Sequence, residues 1–244
     1  MDAQRQFLTG RYQQLWEGSI DHVRAGDVQL DPLLAKGEPD QRRCLTVLLR
    51  PSAEVQHAVA GFLDQLREID PRQYYYQPGE LHVTVLALFT ATIDHARFFA
   101  RYHDYWEALN AVLACVPTFS IEFTGVTLTR DAIMIGGFPN NTVLNDTREI
   151  LRNELRARGL TEGLDGRYVL QTAHLTAVRF RHLLQNSQSF ADKLEAFRNH
   201  PFGRTPVKEF HLVRNDWYMS TLSVKVLERY QLSSSSTPQV SQPV

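Results

Sequence analysis

Two stretches of this 244-residue chain repeat one pattern: LHVTVLAL at 81–88 and AHLTAVRF at 173–180. Aligned on the histidine, each reads apolar, His, apolar, Thr, then more apolar residues. That alternation is the period of a β-strand, in which side chains two apart share a face, about 7 Å from each other. His82 and Thr84 therefore share one face of their strand, and His174 and Thr176 one face of theirs. The opposite faces, Leu81/Val83/Val85 and Ala173/Leu175/Ala177, are apolar and need cover. A chain with nine histidines produces His-x-Thr triplets by chance. These two gain weight from context, because each falls in a strand pattern at a corresponding place in one half of the chain.

The cover comes from helices interleaved with further strands. Cys44–Leu49 is a continuous apolar run fit for a buried strand. Pro51 and Ser52 open a helix to about Ile69, with Val55, Val59, Phe62, Leu63 and Leu66 at helical spacing. The pattern predicts a helix over 94–114, a hairpin of strands 119–128 and 132–138, and a helix from Thr142 to Arg158 stopped by Gly159. A short helix over 187–199 and a strand pair at 210–214 and 222–228 complete the pattern. Helices mixed with hairpins give an α+β architecture. A strand–helix unit repeated in each half implies two lobes related by a pseudo-two-fold axis, with the His-x-Thr faces meeting across a central cleft.

The ends read differently. Residues 5–25 predict an amphipathic helix with Phe7, Tyr12, Leu15, Trp16, Ile20 and Val23 on one side, and a Gly-, Asp- and Pro-containing loop runs on to Asp40. Residues 1–40 are expected to form a helical extension packed on the main domain, 41–232. The segment 233–244, SSSSTPQVSQPV, has neither charge nor aromatic residue and is expected to be a disordered tail.

Charge and cysteines narrow the function. Twenty-six Lys and Arg against 27 Asp and Glu give a net charge of −1, which supplies no global field for long nucleic acids. A small anionic ligand needs only a local pocket. Cys44 and Cys115 belong to no CxxC or Cys/His pattern, which argues against a disulfide framework or zinc knuckle. Both read as buried free thiols. The absence of a secretory signal and of any 18-residue apolar run makes a cytoplasmic protein without membrane contact the expectation.

Two imidazoles facing one phosphate form an acid–base pair. With an unperturbed pKa near 6.5, one ring can be neutral and the other protonated around neutrality. The neutral ring takes a proton from the nucleophile and the protonated ring gives one to the leaving oxygen, while threonine hydroxyls bind the non-bridging oxygens. Such a site needs no metal. Either histidine alone could be a core or surface residue. A metal site lacks a second ligand at i+2 or i+4, and no GxSxG elbow is present. Tyr76, last of the Tyr74–Tyr76 run, could stack a base, the alternative being packing at the strand edge. Tyr168 precedes the second motif and could line the pocket. His211 alternates with Phe210 and Leu212 and could face the cleft or fill the strand. Arg179 falls, by parity in a regular strand, on the face opposite His174. Gly136–Gly137 lacks the spacing of a phosphate loop and reads as a strand end.

HVT at 82–84 and HLT at 174–176, on strands of an α+β chain, resemble the hallmark of the two-histidine (2H) phosphoesterase superfamily, also called the 2'-5' RNA ligase family. The resemblance covers about 41–232 and includes KEFHLVRNDW…LSVKVLERYQL (208–232), similar to the family's closing strands. It implies the bilobal 2H phosphoesterase fold and metal-independent, cofactor-free cleavage of 2',3'-cyclic phosphates or 2'-5' phosphodiester bonds of RNA or nucleotides. His82 and His174 would be catalytic, Thr84 and Thr176 phosphate-binding, and a small nucleotide or RNA end the partner. His82 would be the acid and His174 the base in ring opening to a 2'-phosphate, with roles reversed if the 2'-oxygen leaves. The alternatives are ligation of RNA ends, the reverse reaction, and non-catalytic binding of nucleotides or RNA ends.

Overall fold

The computed structural model describes residues 3–166 and 169–233. It opens with helices α1 (Ala3–Glu17), α2 (Ile20–Arg24) and α3 (Pro32–Lys36), then β1 (Arg43–Leu49), α4 (Ala53–Ile69) and β2 (Tyr74–Tyr75). A single 3₁₀ turn, Pro78–Glu80, leads into β3 (Val83–Thr92), followed by α5 (Ala96–Phe99) and α6 (Tyr102–Leu113). The second half contains β4 (Phe119–Leu128), β5 (Ala132–Pro139), α7 (Val143–Ala157), β6 (Leu175–Arg179), α8 (Ser187–Ala196), β7 (Pro201–Val207), β8 (Glu209–Asn215) and β9 (Lys225–Gln231).

The strands form two antiparallel sheets, one of four strands in the order β3-β1-β8-β9 and one of five in the order β2-β6-β5-β4-β7. Each sheet holds one motif strand. The helices do not stay with the strands they follow in sequence. α4 follows β1 yet packs against β7 and α8, and α7 follows β5 yet packs against β3. The chain is thus interlaced between its two sheets, and one continuous apolar core runs through both. Each fully buried Leu, Val or Phe there contributes roughly 1.5–3 kcal/mol.

The predicted elements appear with small shifts, and the exceptions have local causes. β7, sequence PFGRTPV, carries Pro201 and Pro206, which hide its strand pattern. It lies at the sheet edge, where a missing N–H costs no ladder bond. The first helix is broken at Gly18–Ser19 into α1 and α2, and α1 buries Leu8, Tyr12 and Trp16 while Phe7 is exposed. Tyr12, Trp16, Ile20 and Val23 are thus buried as expected, and Leu8 takes the buried place expected for Phe7. Cys44 is buried as expected, whereas Cys115 is exposed just beyond the end of α6. Of the expected tail only Ser233 lies among the described residues; 234–244 lie outside them. No described helix is long and apolar enough to cross a membrane.

Candidate active site

His82 and His174 each stand one residue before a strand, at the entrances to β3 and β6. Both line the same cleft of about 180 Å³, as do Thr84 and Thr176. Neither threonine hydroxyl has a protein partner among the described residues, so both are free for a ligand. The His82 Nδ1 lies 2.8 Å from the Glu80 carbonyl oxygen. A carbonyl can only accept, so Nδ1 carries the proton and Nε2 is left to exchange protons in the cleft. The His174 Nδ1 lies 2.8 Å from Thr172 Oγ1, a hydroxyl that can donate or accept.

Burial pushes both rings down to about 4. For His82 the Glu80 bond opposes this, and Arg50, His174 and Arg179 reinforce it. For His174 the nearby cations are Arg148 and Arg179. The expected pairing of one neutral and one protonated ring is therefore not the resting state, in which both rings are neutral at neutral pH. An anion between them reverses the sign of the local field and restores proton affinity.

Arg179 is a correction. It lines the cleft beside His174 and Thr176 although it is three residues beyond Thr176. The β5–β6 register explains this: Met134 faces Thr176, Ile133 faces Val178 and Ala132 faces Arg179, so one extra residue is bulged out at Ala177. A bulge resets the parity of everything after it. The first motif has the same bulge, since Leu48 faces Thr84 while Val47 faces Leu86, and the position matching Arg179 is Ala87. Only one side of the cleft thus carries the cation. Arg179 Nε donates to the Tyr76 hydroxyl (3.1 Å), and its guanidinium lies 5.3 Å from the Trp217 ring centre.

Tyr76 lines the cleft, and Tyr168 lies outside the described residues. His211 is not among the cleft residues. It lines a second cavity of about 380 Å³ with Arg50, Glu209 and Gln231, its Nε2 2.7 Å from Glu209 Oε1. His211 pairs with Leu48 across the ladder, and Leu48 is covered by Met219 from the loop after β8. Among the described residues, no cluster of three or more His, Cys, Asp or Glu side chains is placed to hold a metal ion.

Behind the cleft, α7 buries two arginines on the same face as Leu144, Leu151 and Leu155. Arg148 reaches both motifs: Nε donates to the Val85 carbonyl (2.9 Å), and Nη2 to those of Thr84 (2.7 Å) and Thr172 (2.8 Å). Arg152 holds Asp165, a cleft residue with positive φ, through Nε at 2.7 Å and Nη2 at 3.2 Å.

The family profile described as the 2'-5' RNA ligase superfamily matches residues 54–217, which include both motifs. The chain belongs to this superfamily. Its fold is shared with solved structures. TT0787 of Thermus thermophilus superposes with a TM-score of 0.54 at 17% identity, over 80% of this chain and 99% of that one. E. coli LigT in its apo form gives a TM-score of 0.53 at 16% identity, and its complex with 3'-AMP gives 0.51 at 17%, each over 80% of this chain and 100% of LigT. No curated protein sequence matches the chain.

Strand parity and periodicity miss three residues that line or brace this cleft. Arg179 is masked by a bulge, and Arg148 and Arg152 by their charge on an otherwise apolar face. The one available signal was the spacing of Arg148 and Arg152, i+4 and i+8 from Leu144 on its own stripe. For Arg179→Met, loss of the nearby cation should move both histidine pKa values upward in an NMR titration. Phosphate binding should weaken by about 10- to 100-fold, the worth of one charge-assisted bond. Unchanged titration of both rings would remove Arg179 from the site.

Proposed function

We propose that the protein is a two-histidine phosphodiesterase that opens 2',3'-cyclic phosphates or cleaves 2'-5' linkages of nucleotides or short RNA ends. The observation that carries this reading is the convergence of both His-x-Thr pairs and Arg179 on one cleft. Superfamily membership supports phosphodiesterase-type chemistry, and the LigT complexes with 3'-AMP and ATP favour a ligand of nucleotide size.

For ring opening to a 2'-phosphate, His174 takes a proton from water as the water oxygen bonds to phosphorus. The bond from phosphorus to the 3'-oxygen breaks, and His82 gives its proton to that oxygen. Thr84, Thr176 and Arg179 hold the non-bridging oxygens as charge builds on them. Solvent exchange then returns the proton from His174 and recharges His82. The acid role suits His82, because its Nδ1–H bond to the Glu80 carbonyl survives protonation. Tyr76, buried against Tyr74, would act through its hydroxyl by holding the Arg179 guanidinium toward the phosphate.

The test is turnover of 2',3'-cyclic nucleotides and 2'-5' dinucleotides in EDTA, with the product isomer identified. We expect turnover without added metal. Because the free enzyme's histidines sit near 4 and bound phosphate raises them, kcat/KM should peak at a more acidic pH than kcat. Nucleotide binding with no turnover on the whole panel would replace this reading with that of a binding protein.

A further inference from the structure

We propose that Tyr12 of α1 is a positioning residue for His174, which makes the N-terminal helix a working part of the active site. The inference rests on the two-histidine reading and concerns a helix outside the matched span 54–217.

The β5–β6 ladder ends at Ile135 opposite Leu175. Two residues further, Gly137 would face Ala173, but there the Ala173 carbonyl turns onto the Gly137 backbone: a Cβ on Gly137 would lie 1.9 Å from that oxygen. The Tyr12 hydroxyl closes the gap. It accepts from the N–H groups of Gly137 and Ala173, both at 3.2 Å, and donates to the Gly137 carbonyl at 3.0 Å. One donor and two lone pairs are thereby all used. Burial pushes this phenol up to about 12, so it keeps its proton at any working pH. The ring lies edge-on to Phe138 at 5.4 Å and so close to Gly136 that a Cβ there would meet it at 3.3 Å. The Gly136–Gly137 pair is the seat of Tyr12.

Ala173 is the residue before His174, and β6 begins only after that histidine. The sheet ladder therefore does not fix the backbone at His174. Its approach is held instead by Tyr12 on the Ala173 N–H, by Arg148 on the Thr172 carbonyl and by Thr172 Oγ1 on the ring itself. α1 is tied down by Thr127 Oγ1, which donates to the Tyr12 carbonyl at 2.8 Å, and by the Arg5–Glu122 ion pair.

The experiment compares Tyr12→Phe, which removes only the hydroxyl, with Thr127→Val, which loosens the same helix without touching residues 172–174. Each is measured for melting temperature, for kcat and KM, and for the pH titration of the two active-site imidazole signals by NMR. Tyr12→Phe should lower kcat by about 10- to 100-fold with KM within a few-fold, as a small misplacement of one reacting group does. The His174 signal should shift or broaden while that of His82 stays. Thr127→Val, which leaves the Tyr12 hydroxyl and its three bonds in the chain, should lose stability but cost kcat no more than a few-fold, with both signals in place. A Tyr12→Phe protein with unaltered His174 titration and kcat overturns the proposal. So does a kcat loss shared by Thr127→Val in proportion to lost stability, or a Tyr12→Phe chain that does not fold. The NMR arm needs no substrate: a moved His174 signal with no turnover by any variant or wild type would uphold the positioning and refute the hydrolase reading.

Discussion

His82→Ala and His174→Ala are each expected to lower turnover by about 10²- to 10⁴-fold, the usual worth of a positioned acid or base. Stability should move little, within roughly 1 kcal/mol, because both rings line the cleft and neither is a core filler. The double variant should be scarcely worse than the poorer single one, since acid and base act in one transition state and their effects do not add. The roles can be separated with a nitrophenyl ester of a nucleotide phosphate, whose phenolate departs without a proton. On that substrate His82→Ala should recover much of its loss and His174→Ala should not. Equal recovery of both would remove the acid–base division, and turnover indifferent to both substitutions would sink two-histidine catalysis.

The histidine–threonine pairs were legible because they depend on a period of two over four residues, before any irregularity can intervene. The residues just beyond each motif were not. One bulged residue after Thr176 carries Arg179 from the back of the strand into the cleft, and no propensity in AHLTAVRF marks where the ladder slips. The same bulge after Thr84 brings only Ala87, so the two motifs are alike in backbone and unlike in charge. Resting protonation was unreadable for another reason. It depends first on burial of both rings and then on Arg50, Arg148 and Arg179, which lie just after β1, in α7 and in β6 and converge only in the folded chain. β7 was masked by prolines whose tolerance depends on being at an edge, a fact of topology. The periodic helices α4 and α7 stood out clearly, yet nothing in their sequences says that each would pack on the sheet it does not follow.

Arg148 shows how far that interlacing matters, and Arg148→Met is expected to cost more stability than any of the cleft substitutions above. The side chain is 1% exposed, and its fork donates to three main-chain carbonyls, two in the first motif and one beside the second. Methionine fills similar volume but leaves those buried acceptors without a donor, at about 1–3 kcal/mol each before relaxation. The net loss should be roughly 3–5 kcal/mol, or on the order of 10 °C in Tm for a domain of this size. Arg148→Lys keeps the charge but has no planar fork, and can reach one or two carbonyls at best, so it should recover only part of the stability. The decisive readout is kcat at a temperature where both variants remain folded. Because Arg148 ties the start of β3, just after His82, to the segment just before His174, the acid and base should drift relative to each other, and kcat should fall by about tenfold or more even in the folded fraction. Removing a cation beside His174 should also raise that ring's pKa more than that of His82, for which Arg148 is not a contributor. A folded Arg148→Lys protein with wild-type kcat would reduce this arginine to a stabiliser of the core.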